Sequence, residues 1–216
     1  MSKLLLFDLD GTLLDTLDDL HAAVCYALEK QGLPTRTRAQ VRDYIGNGIV
    51  LLMQRAVGAD AVPAVDMASV MADFKEYYGA HCQDKTAPYD GVLELLAALK
   101  AQGKKIAVVS NKADFAVKKL CEGYFSGLVD VAIGENEAGG VKKKPAPDTV
   151  FAAVNALGGT LENAVYIGDS EVDIQTASNA GLACISVSWG MKDREFLLKN
   201  GAKTIVDTTE ELLAIL

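Results

Sequence analysis

Short apolar runs separated by helix-length stretches constrain this chain more than any other feature. Leu4–Phe7, Ile106–Val109, Val129–Ile133, Val165–Ile167, Ala183–Val187 and Thr204–Val206 each read as a strand. Near-continuous apolar runs such as Leu4–Phe7 suit strands buried on both faces. Helices fill the intervals. Val92, Leu95, Leu96 and Leu99 share a face after Pro88-Tyr89-Asp90-Gly91, and Gly103 stops that helix. Further helices are predicted from Asp114 to Cys121, from Asp148 to Leu157, through Ile174 and Ala177 to Gly181, and up to Leu216. This alternation predicts an α/β fold with a doubly wound, mostly parallel sheet. In such a sheet the carboxyl ends of the strands share one edge, and ligands bind there.

One block breaks the alternation. No strand pattern occurs from Thr16 to about Asp84. Thr16 with Asp19 fits a capping box opening a helix whose Leu17, Leu20, Val24, Ala27 and Leu28 share a face, and Gly32 and Pro34 end it. Thr37 with Gln40 is a fuller capping box, starting a helix through Val41, Tyr44 and Ile45. Gly46-Asn47-Gly48 interrupts, helix resumes from Ile49 to Gly58, and a third helix is predicted from Val65 to Tyr78. A helical block placed directly after the first strand predicts an inserted α-helical cap domain. The expected division is 16–83 as cap, with 1–15 and 84–216 as the α/β core.

The strand ends carry the polar residues that matter. The first strand runs into Asp8-Leu9-Asp10-Gly11-Thr12. Carboxylates two residues apart on extended backbone face the same side. They repel unless a cation or a shared proton relieves them. Gly11 permits a sharp turn and close approach to a ligand, and Thr12 adds a hydroxyl. Ser110 and Asn111 follow the second strand with short donors that suit phosphate oxygens or, equally, a helix cap. Asp169 follows Gly168 after the fourth strand, and Asp173 lies four residues on. With Asp8 these are hard oxygen ligands of the kind magnesium takes.

The composition excludes several classes. The chain has 216 residues, a formal net charge of −8 and a pI of about 4.8. Lys142-Lys143-Lys144 is the only basic run, so nucleic acid and anionic membranes are poor partners. Cys25, Cys82, Cys121 and Cys184 form no Cys-x-x-Cys pair, and only two histidines could assist them in binding zinc. Reduced, buried thiols in a cytoplasmic protein are expected. The apolar run before Asp8 is too short for a signal peptide, and none approaches the ~20 residues of a membrane helix.

Asp8-Leu9-Asp10-Gly11-Thr12 resembles the first motif of the haloacid dehalogenase superfamily, in the form its phosphatases carry. Val109-Ser110-Asn111-Lys112, Lys144-Pro145-Ala146-Pro147-Asp148 and Ile167-Gly168-Asp169-Ser170 are similar to its later motifs and occur in order, so the resemblance spans nearly the whole chain. It is closest to the phosphoglycolate phosphatase group. Ile45-Gly46-Asn47-Gly48 and Arg55 are similar to that group's cap motif, whereas Tyr89-Asp90-Gly91 lacks the group's proline before the glycine.

The resemblance implies a Rossmann-like core with a helical cap, and a Mg²⁺-dependent phosphomonoester hydrolase. Asp8 would be the nucleophile that becomes a phosphoaspartate, and Asp10 the acid/base. Lys144 would neutralise charge, and Thr12, Ser110, Asn111 and Lys144 would hold the phosphate. The metal would sit on Asp8, the backbone carbonyl of Asp10, and Asp169, with Asp173 behind them. Gly46, Asn47 and Arg55 would act in substrate choice, Arg55 either touching substrate or bracing the nearby loop. A small phosphorylated metabolite such as 2-phosphoglycolate is the expected substrate, for a monomer or homodimer. Rival readings are a pyrophosphatase or sugar-phosphate phosphatase, a phosphosugar mutase, and a non-catalytic regulatory binding protein.

Overall fold

The computed structural model describes residues 4–59, 64–136 and 139–216. Its elements are β1 (Leu4–Phe7), β2 (Leu14–Asp15), α1 (Leu17–Lys30), α2 (Arg38–Tyr44), α3 (Ile49–Val57), α4 (Met67–His81), β3 (Ala87–Pro88), α5 (Val92–Ala101), β4 (Lys105–Ala113), α6 (Asp114–Phe125), β5 (Val131–Glu135), α7 (Asp148–Ala156), β6 (Ala164–Gly168), α8 (Glu171–Asn179), β7 (Ala183–Val187), α9 (Arg194–Lys199), β8 (Thr204–Val206) and α10 (Thr209–Ile215). Contacts divide the chain into one unit of 1–15 with 88–216 and another of 16–87.

The first unit holds a six-stranded sheet in the order β5-β4-β1-β6-β7-β8, parallel at each pairing. After β1 the chain builds outward through β4 and β5 on one side, then through β6, β7 and β8 on the other. The order therefore reverses between β1 and β6, which places a topological switch point at their carboxyl ends. All four residues of β1 are buried, which explains its unbroken apolar run. Leu4 and Leu6 join Ala107, Val109 and Tyr166 beneath Val150, Ala153 and Val154 of α7 and Ala177 of α8. By the two-residue alternation of a strand, Leu5 and Phe7 serve the opposite face. No helix among the described residues is long and apolar enough to cross a membrane.

In the second unit α1 packs on α4 and α2, and α3 packs on α2, α4 and α1. The Thr37–Gln40 capping box forms. The box expected at Thr16 does not: Thr16 makes no side-chain cap bond. Asp19 instead turns its buried carboxylate to the N–H groups of Lys85 and Thr86 and the Thr86 hydroxyl, at 2.8–3.1 Å. That tie keeps residues 84–87 with the helices, and the second crossing falls after Ala87 where the strand pattern placed it after 83. Arg36, unremarked in the sequence, donates to the Ala56 and Val57 carbonyls and so serves the open carboxyl end of α3.

Other boundaries also move. Helix α4 starts at Met67 because Asp66 caps it through Ala68 N–H, and it continues to His81. Helix α6 continues to Phe125. Strand β4 runs on through Ser110-Asn111-Lys112 to Ala113. Strand β5 begins at Val131 rather than Val129, since the Asp130 carboxylate takes the Ile106 N–H and Val129 closes a turn onto Phe125. Helix α9 had no periodicity to announce it, but Asp193 caps it through Phe196 N–H. The cysteines are free, with Cys82 and Cys121 buried and Cys25 and Cys184 only half-buried.

Candidate active site

Asp8 leaves the end of β1 with its N–H still bonded to the Ile167 carbonyl of β6, 2.9 Å away. This extends the strand pairing by one residue and seats the carboxylate at the switch point. Lys144 comes from the loop before α7, and its placement depends on Asn111. The Asn111 amide donates to the Lys144 carbonyl (2.9 Å) and accepts from the Lys144 N–H (2.7 Å). Asn111 thus clasps the backbone that carries the lysine. Ser110 accepts the Lys112 N–H at the same strand end.

The Lys144 ammonium is buried among three acceptors. Its Nζ lies 2.8 Å from Asp8 Oδ1, 2.7 Å from Asp173 Oδ1 and 3.1 Å from the Tyr166 hydroxyl. An ammonium has three protons, so this set is complete. Tyr166 in turn donates to Asp173 Oδ1 at 3.0 Å. The other oxygen of Asp173 accepts from Ser170 N–H and Oγ, at 3.1 and 2.6 Å. Asp173 is a fully buried anchor for Lys144 and for the start of α8. In the sequence Tyr166 is simply the middle of the Val165–Ile167 strand. A tyrosine inside an otherwise aliphatic buried strand was the available signal, because a buried phenol needs a partner.

Asp169 is held from two sides. Thr12 Oγ1 donates to Oδ1 at 3.3 Å, and the Met191 N–H donates to Oδ2 at 2.7 Å. Gly11 has φ +90°, and a Cβ there would run into Asp169 Oδ2, so only glycine fits this turn. A Cβ on Gly190 would strike the Gly11 carbonyl and the same carboxylate. The loop after β7 is therefore part of the site, as is Trp189, whose indole donates to the Thr12 carbonyl at 3.0 Å. No apolar periodicity in the sequence marks this loop.

Asp10 lies beside a second buried lysine. Lys112 Nζ is 2.8 and 2.9 Å from its two carboxylate oxygens. In the other unit, Gly46 and Asn47 fall between α2 and α3. Arg55 donates from Nη1 to the Tyr44 carbonyl at the end of α2, 2.9 Å away.

Among the described residues four carboxylates, Asp8, Asp10, Asp169 and Asp173, gather at these strand ends, with Lys112 paired to Asp10 and Lys144 paired to both Asp8 and Asp173. Burial, then repulsion from Asp173, pushes Asp8 up to about 7 despite the pull of Lys144. Asp169 is raised well above the carboxylate range by burial and by the Asp173 and Asp8 charges. Burial would discharge Lys144, but the Asp173 and Asp8 carboxylates outweigh it and hold the lysine firmly protonated. Oxygens of Asp8, Asp169 and Asp173 all lie within 4.8 Å of one another. Hard oxygen donors at close spacing, with burial and mutual repulsion penalising their charge, fit a divalent cation such as Mg²⁺. Asp173 already accepts four hydrogen bonds, so Asp8 and Asp169 are the better placed to ligate.

Residues 5–187 match the family model of the haloacid dehalogenase-like hydrolases. Phosphoglycolate phosphatase of Caulobacter vibrioides is 37% identical over 187 residues, which cover 85% of this chain and 78% of that protein. Phosphoglycolate phosphatase of Pseudomonas syringae pv. syringae is 30% identical over 217 residues, covering 99% of this chain and 79% of that one. Among solved structures, a candidate phosphoglycolate phosphatase from Lactobacillus delbrueckii subsp. bulgaricus superposes with a TM-score of 0.94. It is 40% identical, with 100% of this chain and 98% of that chain covered.

Proposed function

Since this chain belongs to the haloacid dehalogenase-like hydrolase family and is a phosphatase, we propose that it hydrolyses a small phosphorylated acid, 2-phosphoglycolate, through a phosphoaspartate on Asp8. The observation that carries this reading is Lys144 bridging Asp8 and Asp173 at the switch point, with Asp169 beside them and Asp10 two residues on. A bound Mg²⁺ on Asp8, Asp169 and the Asp10 carbonyl would supply charge neutralisation for the transferring phosphoryl group.

The protein's own groups do the rest. The Asp8 carboxylate forms a bond to phosphorus as the bond to the leaving oxygen breaks, and Asp10 gives that oxygen its proton. Water then attacks the acyl phosphate, Asp10 takes the water's proton, and the Asp8–phosphorus bond breaks to release phosphate. Lys144 offsets negative charge on Asp8 and on the phosphoryl oxygens, with Asn111 and Asp173 holding it in place. Thr12 and Ser110 are the short hydroxyls at the strand ends that would contact those oxygens. Gly46, Asn47 and Arg55 are assigned to leaving-group choice, with Arg55 acting through the loop it braces.

The test is phosphate release across a panel of phosphorylated metabolites, with Mg²⁺ and with EDTA. The expected result is highest kcat/KM for 2-phosphoglycolate, loss of turnover in EDTA, and no phosphoenzyme in Asp8→Asn. Normal turnover by Asp8→Asn would overturn the mechanism. A sugar phosphate or pyrophosphate as the best substrate would overturn the substrate.

A further inference from the structure

Two buried lysines serve this site, and only one has a place in the chemistry so far. Lys144 has spent its three protons on Asp8, Asp173 and Tyr166. Asp10 is paired instead with Lys112, whose side chain is 4% exposed against 13% for Asp10. The Lys112 ammonium contacts both carboxylate oxygens, at 2.8 and 2.9 Å.

The fold goes out of its way to make this pair. Strands β1 and β4 run side by side with Phe7 opposite Val108, so the residues just past these points are neighbours. Beyond Val109 the pairing of β4 with β5 shifts, and four residues of β4 pass while β5 advances two. A bulge re-aims the side chains it contains. Ser110, Asn111 and Lys112 are consecutive and all buried, which a regularly alternating strand with one open face would not give. Asn111 thereby reaches Lys144, and Lys112 reaches Asp10.

We propose that Lys112 is the positioning residue for the acid/base Asp10, holding its carboxylate toward the leaving oxygen and carrying the charge that Asp10 acquires when it gives up its proton. This rests on the reading of Asp10 as proton donor. A two-point contact fixes the plane of the carboxyl group as well as its location. In a buried site a fixed ammonium needs no reorganisation as charge develops beside it. The division of labour is spatial: Lys144 serves the nucleophile and the phosphoryl group, and Lys112 serves the proton.

A merely structural lysine and a positioning lysine differ in their dependence on the leaving group. An alkyl phosphate such as 2-phosphoglycolate needs its leaving oxygen protonated, whereas p-nitrophenolate departs without help. For Lys112→Met, single-turnover phosphoenzyme formation from 2-phosphoglycolate should slow by about 10²-fold, the lower end of what a positioned acid contributes. Release of the first p-nitrophenolate should stay within about threefold of the parent. Later turnovers should be slow, because Asp10 must also deprotonate water, so a burst of about one equivalent appears. Inhibition by inorganic phosphate should not change. In an Asp10→Asn background, Lys112→Met should cost no more than about threefold further, since a residue acting through Asp10 has nothing left to act on.

Equal slowing of both first turnovers, or a further loss of tenfold or more in the Asp10→Asn background, would overturn the proposal. Should Lys112→Met fail to melt cooperatively, the Asp10→Asn, Lys112→Met pair leaves no lone charge buried and still decides the question. If Asp10→Asn keeps full turnover of 2-phosphoglycolate, the reading of Asp10 itself fails. If Asp10→Asn is slow and Lys112→Met is normal, only the role of Lys112 fails.

Discussion

At the scale of single residues, Tyr166 is where stability and site geometry meet. Its hydroxyl accepts from Lys144 and donates to Asp173, and both Tyr166 and Asp173 are fully buried. Tyr166→Phe keeps the ring packed against Ala107 and Val109 but leaves one ammonium proton without an acceptor. The expected cost is about 1–3 kcal/mol, the range for stranding a buried polar group. Urea unfolding measures it, and a change under about 0.5 kcal/mol would mean that another acceptor has taken over. The polar residues that follow apolar runs, Asp8, Asp10, Ser110, Asn111 and Asp169, were legible from the sequence, although β4 runs on through Ser110 and Asn111. Lys112, Tyr166 and Met191 were not. Their contacts span 102, 22 and 22 positions, and no local pattern records which distant side chain a strand end will meet.

At the scale of elements, α1 forms as its apolar face predicts but is tied down differently. The carboxylate expected to cap the helix holds Lys85 and Thr86, across 66 and 67 positions. Asp19→Ala should therefore leave α1 formed and loosen residues 84–87. Amide exchange at Lys85 and Thr86 should speed up by at least about tenfold, with a loss of about 1–3 kcal/mol overall. Unchanged protection at both amides would show that this tie contributes nothing. Elements with strong apolar periodicity, such as β1, α5 and β7, could be read almost to the residue. Elements with weak periodicity could not. Helix α9 is six residues long with a single buried one, Leu197, and its start depends on the Asp193 side chain rather than on any apolar face. Strand β5 was misplaced by two residues because Asp130 is a polar residue doing the work of a backbone acceptor.

At the scale of the whole molecule, the cluster of buried acids makes stability depend on pH and on metal together. Asp8 is lifted from its ordinary 3.8 to about 7, by burial first and by Asp173 second. Between those values the folded protein holds a proton that the unfolded chain has released. Unfolding stability must then fall as pH rises from about 4 to about 7, and stay lost above that. Asp169, raised for the same reasons, adds to the fall. Carboxylates that are lowered, such as Asp18 beside Arg38 and the partly exposed Asp114 beside Lys118, act in the opposite sense. Their contribution is lost as pH drops below 3.8, so the two effects occupy separate windows. A divalent cation competes with the protons on Asp8 and Asp169, so it should stabilise strongly where they are ionised and weakly where they are not. At pH 8, Mg²⁺ at a hundred times its dissociation constant should add about 2.7 kcal/mol. For a chain of this length that raises Tm by about 5–10 °C. At pH 5 the rise should be a small fraction of this. Thermal melts of the EDTA-treated protein, with and without Mg²⁺ at both pH values, make the comparison. An equal rise at pH 5 and pH 8 would place the ion on some other part of the surface. No rise at pH 8 would mean that the acids of the switch point hold no metal, and that protons alone relieve their repulsion.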